Sequence, residues 1–264
     1  MKILVPTDFS DNANNAFEFA KKIARLDGSS VTLLFAYYSV YDFAAQSSSI
    51  VVQIEQAAQR AMDELKTDSQ HDVRVYHKII QGSIATAVTS TAYRENYDLI
   101  IMGTQGASGI QKALIGSNTA HVIKDSKVPV LAVPYHATFE MVSQLVISLE
   151  WTAAEKQYLA HLFRIAHRWP WPYHTLTVRT PHSHPTAVDN HDIKNLFDSL
   201  DLRTAHKEVE ANDLLEGIKK YLQKAEDSLL VMFSKNRPFL EYLFHQDHVE
   251  KMAYHTHVPL LVIK

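Results

Sequence analysis

The chain has no cysteine among its 264 residues, which excludes disulfide bonds, thiolate metal sites and cysteine nucleophiles. It also has no apolar run near the roughly 18 residues that a membrane span needs. Met1-Lys2 leads directly into an apolar segment, so no signal peptide is expected. The chain also lacks an excess of positive charge, since its net charge is −3. A protein that binds the phosphate backbone of a nucleic acid usually carries such an excess. These absences predict a cytoplasmic protein that binds neither nucleic acid nor membrane.

Glycine is scarce, with seven residues in the whole chain, yet four of them fall within residues 103–116. Together with Ser117 they include the pattern G-x2-G-x9-G-S. Glycine lets a backbone approach a bulky anion closely, and Gly116 is expected to precede a helix whose free N–H groups favour phosphate. The hydroxyl groups of Ser117 and Thr119 are expected to add donors. The pattern therefore predicts a phosphate-binding loop, and a turn whose glycines serve only backbone geometry is the alternative.

This loop is not a Walker loop, because no Lys-Ser or Lys-Thr pair follows its last glycine. Around it, apolar strand-like segments alternate with amphipathic helical patterns through the first half of the chain. The five predicted strands are residues 2–6, 30–38, 73–80, 98–102 and 128–133. Such alternation predicts a parallel sheet with helices on both faces. The glycines follow the fourth strand, at the edge where such sheets bind ligands.

The second half of the chain repeats this plan with a period of about half the chain length. The matching segments are residues 3–10 with 145–152, 98–102 with 228–232, and 127–133 with 257–263. A single repeat of this size indicates a duplicated domain rather than a solenoid. We therefore predict two tandem α/β domains, residues 1–137 and 141–264.

Three motifs in order resemble the universal stress protein family: Pro6-Thr7-Asp8-Phe9-Ser10, the glycine pattern, and Val128-Pro129-Val130. The resemblance covers both halves, so the chain looks like a tandem two-domain member. It implies a five-stranded parallel sheet of the adenine-nucleotide α-hydrolase type in each half. It also implies that the two halves pack as a pseudo-twofold pair through their last strands, residues 128–133 and 258–263.

The family's ATP-binding branch implies a set of site residues for the first half. By position, Asp8 would contact the ribose or a phosphate-bound Mg²⁺ or Mn²⁺, and Ala36 would meet the adenine edge through its backbone. An Asp before a helix is often only a cap, but Ser10 can fill that role here. The full set implied to bind the nucleotide is Pro6, Thr7, Asp8, Ala36, Met102, Gly103, Gln105, Gly106, Gly116, Ser117, Asn118 and Thr119.

The second half departs from the family pattern at the positions that carry the nucleotide. The three glycines of the pattern align with Phe233, Asn236 and Gln246, in that order. Ser117 aligns with Asp247, and Asp8 aligns with Glu150. Larger side chains and an acidic group in the place of phosphate predict that this half binds no ATP. Eleven of the fifteen histidines also lie in the second half, but without a matching carboxylate spacing we expect surface histidines rather than a zinc site.

These observations favour an ATP-binding regulatory protein of the stress response that acts on a partner protein not identified by the sequence. No general base or arginine finger is evident near the loop, so we expect slow hydrolysis at most. One alternative is a nucleotide-free interaction scaffold with a vestigial pocket. Another is an enzyme of the related nucleotide-transferring α/β families, which would need a catalytic constellation that the sequence does not display. Whether two chains form a further homodimer is left open.

Overall fold

The computed structural model describes residues 1–38, 46–67, 73–105, 115–181, 195, 197–198, 205–235 and 258–264. Gly106 lies outside the described residues, and so do Asn236, Gln246 and Asp247. The chain forms two compact units, with Tyr135 in the first and His136 in the second. The domain limits 1–137 and 141–264 stay a prediction. In the described part of the chain, no helix combines the length and apolarity that a membrane span requires.

The first unit alternates strands and helices as its sequence predicts. Its elements are β1 (Lys2–Thr7), α1 (Asp11–Asp27), β2 (Ser30–Tyr37), α2 (Gln46–Thr67), β3 (Arg74–Gln81), α3 (Ile84–Arg94), β4 (Leu99–Gly103), α4 (Ser117–Asp125) and β5 (Val130–Val133). The strands lie in the order β3-β2-β1-β4-β5, and every neighbouring pair is parallel. The predicted parallel α/β fold is confirmed.

The position of the central strand β1 determines where this sheet forms a crevice. Ile3, Leu4 and Val5 have no exposed surface, as expected for a parallel strand covered on both faces. The chain passes from β1 to β2 on one side, whereas β4, on the other side, comes later in the sequence. This reversal of strand order is the topological switch point at which open α/β sheets form a crevice.

The second unit has the same arrangement. After a 3₁₀ turn (Phe139–Met141), its elements are β6 (Gln144–Ser148), α5 (Glu155–Ala166), β7 (Tyr173–Arg179), β8 (Ala205–Glu210), α6 (Leu214–Leu222), β9 (Ser228–Phe233) and β10 (Leu260–Ile263). Its strands lie in the order β10-β9-β6-β7-β8, again with every pair parallel. Counted from its own first strand, this is the strand order of the first unit, so the two units are tandem copies of one fold.

The turn after the first strand is alike in both units. Phe9 has a φ of 61° and the aligned Trp151 has a φ of 57°, although residues with side chains rarely adopt positive φ. In the first unit, Ser10 then caps α1 by accepting a hydrogen bond from the N–H of Ala13 at 3.3 Å. The helix ends at Gly28, whose φ of 70° fits a left-handed C-cap. The helix cap that the sequence indicates at Ser10 is confirmed.

Close packing between α6 and β7 generates a stability prediction for the second unit. A Cβ atom on Gly217 would lie 2.3 Å from Cγ1 of Val178. We expect Gly217→Ala to lower the free energy of unfolding by about 1–3 kcal/mol, as overpacking does. Adding Val178→Ala should restore part of that loss, which chemical denaturation of the two variants would measure. Equal losses in the single and double variants would contradict this packing.

Candidate functional site

A cavity opens in the first unit at the carboxyl ends of β1, β2 and β4. Its walls are Pro6, Thr7, Asp8, Ala13, Leu34, Ala36, Ile84, Met102, Gly103, Gln105, Gly116, Ser117, Asn118 and Thr119. Eleven of the twelve residues implied by the sequence are among them, and the twelfth, Gly106, lies outside the described residues. The fold therefore brings the implied residues together, while their role in binding stays a prediction.

Three apolar residues of the cavity wall are missing from the implied set. Ala13 lies in the first turn of α1, Leu34 on β2 and Ile84 at the start of α3. The sequence pattern marks Ala13 and Ile84 only as core positions of their helices. Leu34 could have been found from Ala36, because residues two apart on a strand share a face. These side chains give the cavity the apolar wall that a planar ring needs.

Asp8 organises the turn between β1 and α1. Its Oδ1 accepts hydrogen bonds from the N–H of Ser10 at 3.1 Å and from the hydroxyl of Ser10 at 2.6 Å. Thr7 acts similarly, because its Oγ1 accepts a hydrogen bond from the N–H of Phe9 at 2.9 Å. Asp8 is half-buried and lines the cavity, so its carboxylate serves the turn and also faces the site.

Ala36 lies just beyond the end of the contact between β1 and β2. The last paired residues of these strands are Thr7 and Phe35. The N–H of Ser30 donates to the carbonyl of Met1, so the backbone groups of even-numbered β2 residues point towards β1. The next donor on the β1 side would be the N–H of Phe9, which instead donates a hydrogen bond to Oγ1 of Thr7. The carbonyl of Ala36 is therefore left beyond the last strand pair, on the side of the cavity.

The start of α4 forms the opposite wall of the cavity. Gly116 is its N-cap and provides no side-chain hydrogen bond to the helix. The first helical backbone bond runs from the N–H of Ala120 to the carbonyl of Gly116. The N–H groups of Ser117, Asn118 and Thr119 therefore have no partner within the helix, and all three residues line the cavity. Such a helix start favours an anion.

Two glycines and a threonine of the predicted loop have roles that the sequence interpretation missed. Gly116 has an ordinary φ of −61°, and its Cβ would lie 3.2 Å from the carbonyl oxygen of Thr104. A Cβ on Gly103 would lie 2.6 Å from Oδ1 of Asn12. These two glycines therefore leave room for neighbouring protein atoms rather than only for an anion. The hydroxyl of Thr119 donates to the carbonyl of Gly103 at 2.8 Å, so it is not the free donor that we expected.

Charged groups are few in the described wall of this cavity. Asp8 is the sole ionisable residue among the described residues that line it, and no lysine or arginine accompanies it there. Within the described residues, no group of three His, Asp or Glu side chains could hold a metal ion by itself. Asp8 could still ligate Mg²⁺, because this ion is usually bound by one or two carboxylates together with substrate phosphates.

In the second unit, an ion pair lies at positions that align with the cavity wall of the first unit. The alignment of the units puts Glu155 at the position of Ala13 and Lys235 at that of Gln105. Glu155 is fully buried and accepts hydrogen bonds from the N–H groups of Glu150 at 3.0 Å and Thr152 at 2.9 Å. Lys235 contacts Glu155 at 3.1 Å and Glu150 at 3.3 Å.

Two aromatic rings lie at further aligned positions of the second unit. Phe233, which aligns with Gly103, is fully buried and stacks on Tyr158 with 5.2 Å between ring centroids. Tyr158 itself aligns with Ala16, so two small residues of the first unit correspond to two rings in the second. The obstruction of a nucleotide by Phe233 stays a prediction. The histidines at 182, 184, 191, 245, 248, 255 and 257 lie outside the described residues.

Comparison with known proteins supports the resemblance noted in the sequence. A family model described as the universal stress protein family matches residues 1–134. Two universal stress proteins from Methanocaldococcus jannaschii are 30% and 31% identical to this chain, each over 50% of it and over 81% and 93% of their own lengths. The crystal structure of a universal stress protein from Archaeoglobus fulgidus covers 100% of this chain and 96% of its own, with a TM-score of 0.72 at 16% identity. The shared fold therefore extends through both units.

The ion pair in the second unit generates a second stability prediction. Lys235→Met would leave the buried Glu155 without its cation, so we expect the free energy of unfolding to fall by about 3 kcal/mol. Lys207→Met, which changes an exposed lysine of β8, is the matched control and should stay within about 0.5 kcal/mol of the wild type. Denaturant unfolding measures both, and similar losses in the two variants would argue against the ion pair.

Proposed function

Because the chain belongs to the universal stress protein family, we propose that its first unit binds ATP and that the protein is a nucleotide-dependent regulatory module of the stress response. The observation that carries this proposal is the cavity at the switch point, where an uncapped helix start faces an apolar wall and an open strand end. A regulatory partner protein would read the nucleotide state.

Each part of the cavity suits one part of the nucleotide. The N–H groups at the start of α4 would bind the phosphates, because they are oriented donors at the positive end of a helix. Asp8 would bind the ribose or a divalent cation on the phosphates. The carbonyl of Ala36 would accept a hydrogen bond from the amino group of adenine, between the apolar side chains of Leu34 and Ile84. Guanine presents an oxygen at that place, so ATP should bind more tightly than GTP.

We propose that the protein hydrolyses ATP slowly or not at all. Phosphoryl transfer needs cationic groups that neutralise the charge of the transition state and a group that orients the attacking water. The described wall offers a single carboxylate, and Oδ1 of that carboxylate accepts two hydrogen bonds from Ser10. This argument also weighs against the enzyme alternative. The apolar wall and open helix start weigh against a vestigial pocket.

We propose one ATP for each chain, bound within residues 1–137. In the second unit, the buried pair of Glu155 with Lys235 aligns with Ala13 and Gln105 of the cavity wall. A nucleotide there would have to displace this ion pair and would bring its phosphates towards Glu155. Residues 141–264 would then serve as a domain that binds no nucleotide.

Isothermal titration of the full chain with ATP should give a stoichiometry near one, and GTP should bind more weakly. Mass spectrometry of nucleotide released from the purified protein provides an independent check. A stoichiometry near two would contradict the asymmetry of the units. No heat of binding and no released nucleotide would favour the scaffold alternative.

Ser117 allows a sharp test of the helix start. It is the first residue of α4, a position where proline is well tolerated, and Gly116 before it already has the extended conformation that proline requires. Ser117→Pro removes one N–H donor, so we expect ATP affinity to fall about tenfold, the worth of a charge-assisted hydrogen bond, with little change in stability.

Ser117→Ala is the matched control, because it removes the hydroxyl and keeps the N–H. We expect a smaller loss of ATP affinity in this variant, measured by the same titration. If both variants bind ATP as tightly as the wild type, the phosphates do not lie at the start of α4.

A further inference from the structure

Asn12 is a polar side chain buried in the first turn of α1, and both ends of its amide are engaged. It is 4% exposed. Its Oδ1 accepts a hydrogen bond from the N–H of Gln105 at 2.8 Å, and its Nδ2 donates to the carbonyl of Val133 at 3.2 Å. Gln105 lines the cavity, whereas Val133 ends β5. One side chain thus joins α1 to the loop after β4 and to the end of β5.

We infer that Asn12 is a positioning residue for the phosphates: it fixes the start of the loop, residues 103–105, and through it the start of α4. The inference rests on the proposed function, because it assigns a role in the same cavity. Asn12 itself is not among the residues that line the cavity, so it acts through Gln105.

The lack of a side chain at Gly103 supports this role independently. A Cβ there would lie 2.6 Å from Oδ1 of Asn12, 2.8 Å from its Cγ and 3.0 Å from its backbone oxygen. Any larger residue would push the amide of Asn12 away from Gln105. The Asn12 side chain therefore lies in the space that a side chain at Gly103 would occupy.

The remaining backbone groups of the loop start are tied to α4 and β5. The N–H of Thr104 donates to the carbonyl of Val133 at 3.1 Å, and the carbonyl of Thr104 accepts from the N–H of Gly116 at 2.6 Å. The carbonyl of Gly103 accepts from the hydroxyl of Thr119 at 2.8 Å. These hydrogen bonds anchor the start of α4 to residues 103 and 104. The hydrogen bond between Asn12 and Gln105 therefore helps to fix the position of the start of α4. Such ordering before binding lowers the cost of binding.

The base side of the cavity does not depend on Asn12. Leu34 and Ala36 belong to β2, and the described hydrogen bonds of Asn12 lead to the loop and to β5. Loss of Asn12 should therefore weaken the binding of phosphates and leave the binding of the nucleoside unchanged. A general loss of structure would weaken both.

The test compares ATP with adenosine by isothermal titration of the full chain. For Asn12→Ala we expect the Kd of ATP to rise about tenfold, equivalent to about 1.4 kcal/mol, while the Kd of adenosine stays unchanged. Asn15→Ala is the matched control: Asn15 lies on the same helix and donates to the carbonyl of Pro134 at 3.1 Å. It should bind both ligands like the wild type. Gly103→Ala, which keeps Asn12 but crowds its amide, should also weaken ATP binding.

Hydrogen exchange of the Gln105 amide, measured without nucleotide, provides a second readout. The amide should exchange faster in Asn12→Ala than in the wild type or in Asn15→Ala. The inference is overturned if Asn12→Ala weakens ATP and adenosine equally, if it weakens neither, or if Gln105 exchange is unchanged. A wild-type chain that binds neither ligand would instead overturn the proposed function, and the phosphate role of Asn12 with it.

Discussion

In the first unit, the cavity exists because β1 stops pairing with β2 before β2 itself ends. The last pair is Thr7 with Phe35, whereas β2 continues to Tyr37. The chain can leave the sheet this abruptly because Phe9 adopts a positive φ and its N–H is satisfied by Thr7. The same turn directs the chain into α1, which brings Asn12 against the end of β4. An open strand end, a helix start and a fixed loop all depend on this one turn.

The second unit keeps the turn but has different side chains beside it. Trp151 has a φ of 57°, close to the 61° of Phe9, so the chain turns in the same way after the first strand of each unit. Glu155 then occupies the position of Ala13, and its carboxylate accepts hydrogen bonds from two backbone N–H groups of the turn. A buried carboxylate is costly without a cation, and Lys235 provides one at 3.1 Å. In the described residues, the two turns therefore share a backbone conformation and differ in the side chains around them.

Much of this fold and site could be predicted from the sequence, because the signals involved are local. The alternation of apolar strands with helical patterns, the cap at Ser10 and the stop at Gly28 each depend on neighbouring residues. Eleven implied site residues line one cavity because short motifs follow particular strands. The contacts of Asn12 could not be predicted in this way, since its partners lie 93 and 121 residues away. Helical periodicity marks α1 by its apolar residues and gives no reason to expect a buried amide beside them.

The contrast between the units also bears on what a nucleotide would do to the protein. A crevice in a parallel sheet leaves backbone donors without partners until a ligand, water or side chains satisfy them. In the second unit, the carboxylate of Glu155 accepts hydrogen bonds from the N–H groups of Glu150 and Thr152 in the turn after β6. In the first unit, the N–H groups at the start of α4 have no partner within the helix. A ligand that binds only the folded state stabilises that state by about 2.7 kcal/mol when the ligand concentration is a hundred times its Kd. With the single ATP site proposed above, nucleotide concentration would be coupled to the stability of the first unit.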